Sequence, residues 1–149
     1  MNTFQTFKTL SLGGKKPSLK GIEIGTYAKQ MLEKVTYQKK KEDIELVVVK
    51  VGDMGLPDIY ATTSQIYAWA KENGLELCPA EVGPRLREEY TEQPNGEYLV
   101  IAMEPITASD GDPCVFDVDH DEDERWRNAY DARSSRRWHP GDRFVFRKS

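Results

Sequence analysis

Cysteine and histidine are scarce in this chain of 149 residues, at two each. Cys78 and Cys114 could close one disulfide at most, and neither lies in a C-x-x-C pair or beside a histidine at ligand spacing. That excludes a disulfide scaffold and a zinc ribbon, and the two thiols are read as reduced and structural. His120 and His139 stand far apart, without partners at metal-site spacing. Long apolar runs are also missing. Stretches such as Leu46–Val49 and Leu99–Met103 stop after four or five residues, against the roughly 20 that a spanning helix needs. The opening residues lack the apolar centre of a secretory signal, so a cytoplasmic location and no membrane partner are expected. Neither a G-x-S-x-G elbow nor a phosphate-cradling glycine loop occurs, so no enzyme, cofactor or metal is expected. Without an internal repeat or low-complexity linker, one domain over 1–149 is expected, and 38% hydrophobic residues suffice for its core.

What is present alternates between strand and helix signals. Phe4 to Leu12, ending at Gly13-Gly14, predicts a first strand. Thr26 is placed to cap a helix with apolar positions Tyr27, Ala28, Met31, Leu32 and Val35. Lys39-Lys40-Lys41 reads as a solvated connection, and the β-branched run Ile44–Val51 as a strand. Thr62 and Gln65 have capping-box spacing before a helix with Ile66, Trp69 and Ala70 on one face, stopped at Gly74. A further helix is expected from Pro79 or Ala80 to Tyr90, with Arg85 and Arg87 as surface charge. Pro94-Asn95-Gly96 is a turn, Tyr98–Met103 a central strand, and Val115–Val118 and Phe144–Phe146 shorter strands. Together they predict an α+β fold with a mixed or antiparallel sheet and two to three helices. Trp69, Ile66, Leu46, Val48, Leu99, Ile101 and Phe144 are expected to share one core.

The net charge of -4 conceals opposed blocks. Residues 104–124 hold nine acidic and no basic side chains, whereas residues 125–149 hold eight Lys+Arg against two Asp. Two such blocks in succession fit a pair of strands that neutralise each other, or a displayed basic surface. Asp117, Asp119, Asp121 and Asp123 alternate like a calcium loop, yet that frame puts Glu122 where a glycine belongs and Asn128 where the bidentate glutamate belongs. A solvated turn is the simpler reading. Ser109-Asp110-Gly111-Asp112-Pro113 is also a turn.

Seven of the nine arginines lie between Arg125 and Arg147, interleaved with Trp126, Tyr130, Trp138 and His139. Arginine and large aromatics are the residue types enriched at binding hot spots. Lys, Glu, Gln and Met supply 35 residues of the chain, but none of these occurs from Arg125 to Arg147. Asparagine codons substituted freely at their two adenines yield Asn, Tyr, Asp, Arg, Ser, His, Gly and Ala, but never Lys, Glu, Gln, Met or Trp. Trp126 and Trp138 would then be fixed positions of the scaffold.

Three stretches carry a family resemblance: Gly74-Leu75-Glu76-Leu77-Cys78-Pro79-Ala80-Glu81-Val82-Gly83-Pro84, Ile101-Ala102-Met103-Glu104-Pro105-Ile106-Thr107, and Trp138-His139-Pro140-Gly141-Asp142-Arg143-Phe144-Val145-Phe146. Over roughly its second half the chain resembles a family of uncharacterised bacterial proteins, itself similar to the variable proteins of diversity-generating retroelements. That resemblance implies a diversified ligand-binding face on a C-type-lectin-like scaffold. The chain departs from the better-known lectin-like members in its long N-terminal half and in lacking their glycine- and asparagine-rich C-terminal motif.

The expectation is therefore a non-enzymatic protein with a variable ligand-binding segment at 126–143. Tyr130, Asp131, Arg133, Ser134, Ser135, Arg136, Arg137, His139 and Asp142 would contact a protein or other macromolecular ligand. Trp126, Trp138, Phe144 and Phe146 would fix the scaffold beneath them. The alternative is a nucleic-acid-binding module that uses the same basic aromatic segment, and a metal-dependent hydrolase on the acidic block is a third reading.

Overall fold

A computed structural model describes residues 4–20, 23–121, 124–133 and 135–149, with residues 23, 121 and 124–131 described by their backbone alone. In chain order the elements are β1 (Lys8–Leu12), β2 (Glu23–Ile24), α1 (Thr26–Leu32), β3 (Glu42–Lys50), β4 (Ala61–Thr62), α2 (Thr63–Glu72), β5 (Leu75–Glu76), α3 (Val82–Glu89), β6 (Tyr98–Ile101), β7 (Ile106–Thr107), β8 (Pro113–Asp121), β9 (Glu124–Asp131), β10 (Arg137–Trp138) and β11 (Arg143–Lys148). The fold is α+β with a mixed sheet, as the sequence predicts. Its strands run β1-β3-β11-β6-β8-β9-β2, with β5 added to β11 and β7 to β8, while β10 and β4 form a separate pair. The β11–β6 and β2–β9 pairings are parallel.

β11 lies inside this sheet, and its residues Phe144, Val145 and Phe146 are all buried. The period-two alternation of a strand sends Phe144 and Phe146 to one face and Val145 to the other, so both faces of the sheet must be covered here. On the phenylalanine face an aromatic chain runs from Trp138 through Phe144, Phe146 and Trp69 to Phe4, with successive ring centroids 4.9 to 6.2 Å apart. Trp69 comes from α2, whose start carries the expected capping box: Thr62 Oγ1 accepts from Gln65 N and Gln65 Oε1 from Thr62 N. The expected core is one cluster, in which Ile66, Leu46, Leu99, Ile101 and Phe144 are buried and Trp69 and Val48 pack half-buried against it. Ile101→Ala should therefore cost about 2–5 kcal/mol in urea unfolding.

Helix α3 touches both β1 and the β8–β9 pair. Those strands lie about 19 Å apart at sheet spacing, and an eight-residue helix is only about 12 Å long, so the sheet curls around α3. Gly83 and Pro84 fall in the first turn of α3, where proline needs no intrahelical donor. The glycine is required by packing: a Cβ there would lie 2.6 Å from Cδ2 of the buried Phe116. Gly83→Ala should thus lose stability, although alanine in a helix ordinarily gains about 1 kcal/mol over glycine. A thermal melt shifted upward would contradict this packing.

Several expectations change. Arg85 and Arg87 are buried, not surface charge, and Arg87 is fully so. Two positions apart, they leave α3 on different sides, Arg85 towards the loop after β1 and Arg87 towards β8. Asp117 to Asp121 form strand, not a solvated turn, because β8 is hydrogen-bonded to β6 on one side and β9 on the other, and Asp117 is buried there. Asp123 lies outside the described residues. Thr26 is the first residue within α1 and Gly25 is the N-cap, and the helix stops at Leu32, before Val35. The opposed charge blocks meet as paired strands, but the register sets no carboxylate of β8 opposite an arginine of β9: Asp117 stands opposite Asn128, Asp119 opposite Trp126 and Asp121 opposite Glu124, while Arg127 and Arg125 stand opposite Val118 and His120.

Both cysteines are buried, and neither forms a disulfide. Burial pushes the Cys78 thiol from near 9 up to about 12 and the Tyr67 hydroxyl from near 10 to about 12. The unfolded chain therefore releases these protons at lower pH than the folded one. Their contribution to stability is complete below about pH 9 and declines as pH rises towards 12. Chemical denaturation at stepped alkaline pH should show this decline, and Cys78 should resist iodoacetamide at pH 8 until the protein unfolds.

Candidate ligand-binding face

The segment after β9 is pinned to the loop ahead of α2 through its backbone. Thr63 N donates to Arg136 O at 3.0 Å, Gly52 N to Pro140 O at 2.9 Å and Val51 N to Asp142 O at 2.9 Å. β10 pairs with β4, placing Arg137 opposite Thr62 and Trp138 opposite Ala61. Trp138 is the anchor: it is buried, packs edge-on against Phe144 and donates from Nε1 to Thr63 Oγ1 at 2.8 Å. Strand alternation then turns its neighbours outward. Arg137 and His139 are exposed, and the Arg136 guanidinium lies 4.3 Å from the Trp138 ring centroid.

Arg136, Arg137, His139 and Asp142 are thus brought together on one short stretch. Asp142 also orders it: Oδ2 accepts from His139 N at 2.9 Å, and Oδ1 from the Tyr98 hydroxyl at 2.6 Å. That hydrogen bond, with partial burial, holds the Tyr98 hydroxyl up at about 12. Gly141 N donates to His139 Nδ1 at 3.0 Å, so the neutral imidazole carries its proton on Nε2. Arg133 belongs to a neighbouring turn, closed by Arg136 N to Arg133 O, and makes an exposed ion pair with Asp112 at 3.2 Å. Ser135 is exposed. Tyr130 and Asp131 have backbone positions opposite Val115 and Cys114, but their side chains and that of Trp126 lie outside the description, as does Ser134.

Sequence reasoning missed two members of this face. Ile59 is 74% exposed and Tyr60 47%, and the Tyr60 ring stands edge-on to His139 with centroids 5.8 Å apart. Beside them Leu56, Pro57, Asp58 and Pro140 line a shallow cleft of about 290 Å³. The available signal was the Ile59-Tyr60 pair itself, two large apolar residues between a proline and a helix cap that belong to no periodic pattern. An exposed aliphatic and an exposed tyrosine beside two arginines and a histidine offer apolar area, stacking and charge-assisted hydrogen bonds together.

Among the described residues no group of three or more His, Cys, Asp or Glu is arranged to hold a metal ion, and no helix is long and apolar enough to cross a membrane. Comparison with protein families, curated proteins and solved structures finds no match to this chain.

Proposed function

We propose that the chain is a non-enzymatic ligand-binding protein whose contact face consists of Arg136, Arg137, His139, Ile59 and Tyr60. The remaining positions of 126–143 would extend it as the diversified segment of a retroelement-type variable protein. The observation that carries this reading is the separation of roles within three consecutive residues. Trp138 is sunk into the core and hydrogen-bonded, whereas Arg137 and His139 on either side project from it next to an exposed apolar pair. Side chains at such outward positions can vary without disturbing the core, which is what a diversified surface requires. A diversified face needs only a rigid scaffold, so the reading does not depend on a C-type-lectin-like sheet. The favoured ligand is a macromolecule, because the face is open and its cleft shallow.

Sequencing the DNA around the gene tests the diversification. A near-identical second copy of the segment encoding residues 126–143 is expected, differing mainly where it carries the adenines of asparagine codons, with a reverse-transcriptase gene nearby. Absence of such a copy, or differences spread evenly over third codon positions, would refute it.

A further inference from the structure

A second basic surface lies on two loops remote in sequence from the first. Gly13-Gly14-Lys15-Lys16, which follows β1, is laid directly against Lys39-Lys40-Lys41, which precedes β3. Gly13 has φ +84°, and a Cβ on it would come within 2.2 Å of Lys40 O, so only glycine permits this approach. A Cβ on Gly14 would lie 3.1 Å from Cε of Lys41. The buried Glu81 carboxylate locks the two loops together. It accepts from Gly13 N at 3.2 Å, from Gln38 N at 3.0 Å and from Arg85 Nε at 2.6 Å. Arg85 in turn donates from Nη1 to Lys15 O at 3.1 Å, and its Nη2 is buried with no hydrogen-bond partner among the described residues. Lys16 Nζ and Arg85 Cζ stand 5.5 and 5.7 Å from the Tyr37 ring centroid.

Lys15, Lys16, Lys39, Lys40 and Lys41 are all exposed, and none forms an ion pair among the described residues. Glu81 cannot neutralise them, since it is buried and turned to Arg85. Nearby Glu42 reaches Arg147 at 3.6 Å, and Asp43 accepts from Ser11 Oγ. Holding five like charges together on converged loops costs stability through self-repulsion, which a polyanionic ligand would relieve. We propose that this lysine surface binds the phosphodiester backbone of nucleic acid. The lysines are point charges on an open surface, which suits a backbone tracked along its length more than base edges read in a fork geometry. A membrane surface fits less well, because among the described residues the large exposed apolar side chains, Tyr27, Ile59, Tyr60 and Tyr98, lie on none of these loops.

The test is fluorescence anisotropy of a labelled oligothymidylate, and of a duplex, titrated with the full chain at several salt concentrations. Five lysines neutralising phosphates predict a slope of log affinity on log salt of about -3.5 for the single strand, or about a hundredfold loss between about 50 and 200 mM salt. Replacing all five lysines by glutamine should abolish that binding. Lys15→Gln with Lys16→Gln, and Lys39→Gln to Lys41→Gln, should each remove part of the slope, and they decide the matter if the fivefold variant does not fold. Arg136→Ser with Arg137→Ser should leave binding and slope unchanged, which separates this surface from the proposed ligand-binding face. The proposal is overturned if neither oligonucleotide binds. It is equally overturned if the arginine variant alone loses binding, if polyglutamate competes as well as the oligonucleotide, or if vesicles of anionic phospholipid bind while the oligonucleotide does not.

Discussion

Replacing Arg87 with methionine is expected to destabilise the protein by about 3–5 kcal/mol, because it strands several buried acceptors that each cost about 1–3 kcal/mol when unsatisfied. Arg87 is fully buried in α3 and ties three segments together. Nη1 donates to Gln93 Oε1 at 2.5 Å and to Asp119 O at 2.7 Å, and Nη2 donates to Tyr90 O at 2.7 Å. One guanidinium thus closes the end of α3, the loop that follows and strand β8. Methionine fills much of the volume and restores none of these bonds. The urea midpoint should fall with little change in slope. A loss below about 1 kcal/mol would mean that water replaces the guanidinium and that the site is not sealed.

The second large effect is at Glu81, where alanine should also cost about 3–5 kcal/mol. The substitution removes one carboxylate from three donors and leaves Arg85, only 6% exposed, without its ionic partner. A buried uncompensated charge is worse than none, so adding Arg85→Leu to Glu81→Ala should recover part of the loss. If the double variant were simply as unstable as the sum of the two singles, Arg85 would not be charged and sealed as described. Because Glu81 also holds Gly13 and Gln38, the single variant should loosen both lysine loops, visible as faster amide exchange at those two residues.

These two residues also mark what the sequence could not disclose. Helix α2 was legible to its capping box because its signals are local: Thr62, Gln65 and the spacing of Ile66 and Ala70 all lie within two turns. Strands β3, β6 and β11 were legible in place, if not in length, because the runs Ile44–Val51, Tyr98–Met103 and Phe144–Phe146 are apolar enough to demand burial on both faces. Arg85 and Arg87 read as surface charge because their local acceptors, Glu81, Tyr90 and Gln93, do not by themselves require burial. Their remaining partners, Lys15 and Asp119, lie 70 and 32 positions away, and only the curled sheet brings them in. The two-residue strands β2, β4, β5, β7 and β10 are too short to carry a period and exist only as partners of longer elements. In the candidate face, Trp138 as an anchor with Arg137 and His139 beside it follows from strand alternation. Ile59 and Tyr60 come from a loop that reaches the face through tertiary contacts, the β4–β10 pairing and the Tyr60–His139 ring contact among them.

The proposed C-terminal face requires a scaffold indifferent to the side chains that it displays. The most direct test of that indifference is the unfolding free energy of a variant with Arg133, Ser135, Arg136, Arg137 and His139 all replaced by asparagine, measured beside Trp138→Asn. Arg136 gives up its stacking on Trp138 and Arg133 an exposed ion pair, so the fivefold variant should lose no more than about 2 kcal/mol. Trp138→Asn should lose about 3–5 kcal/mol, since it empties a buried site and strands Thr63 Oγ1. A fivefold variant that unfolds while Trp138→Asn remains as stable as the parent would show that these side chains build the fold instead of being displayed on it.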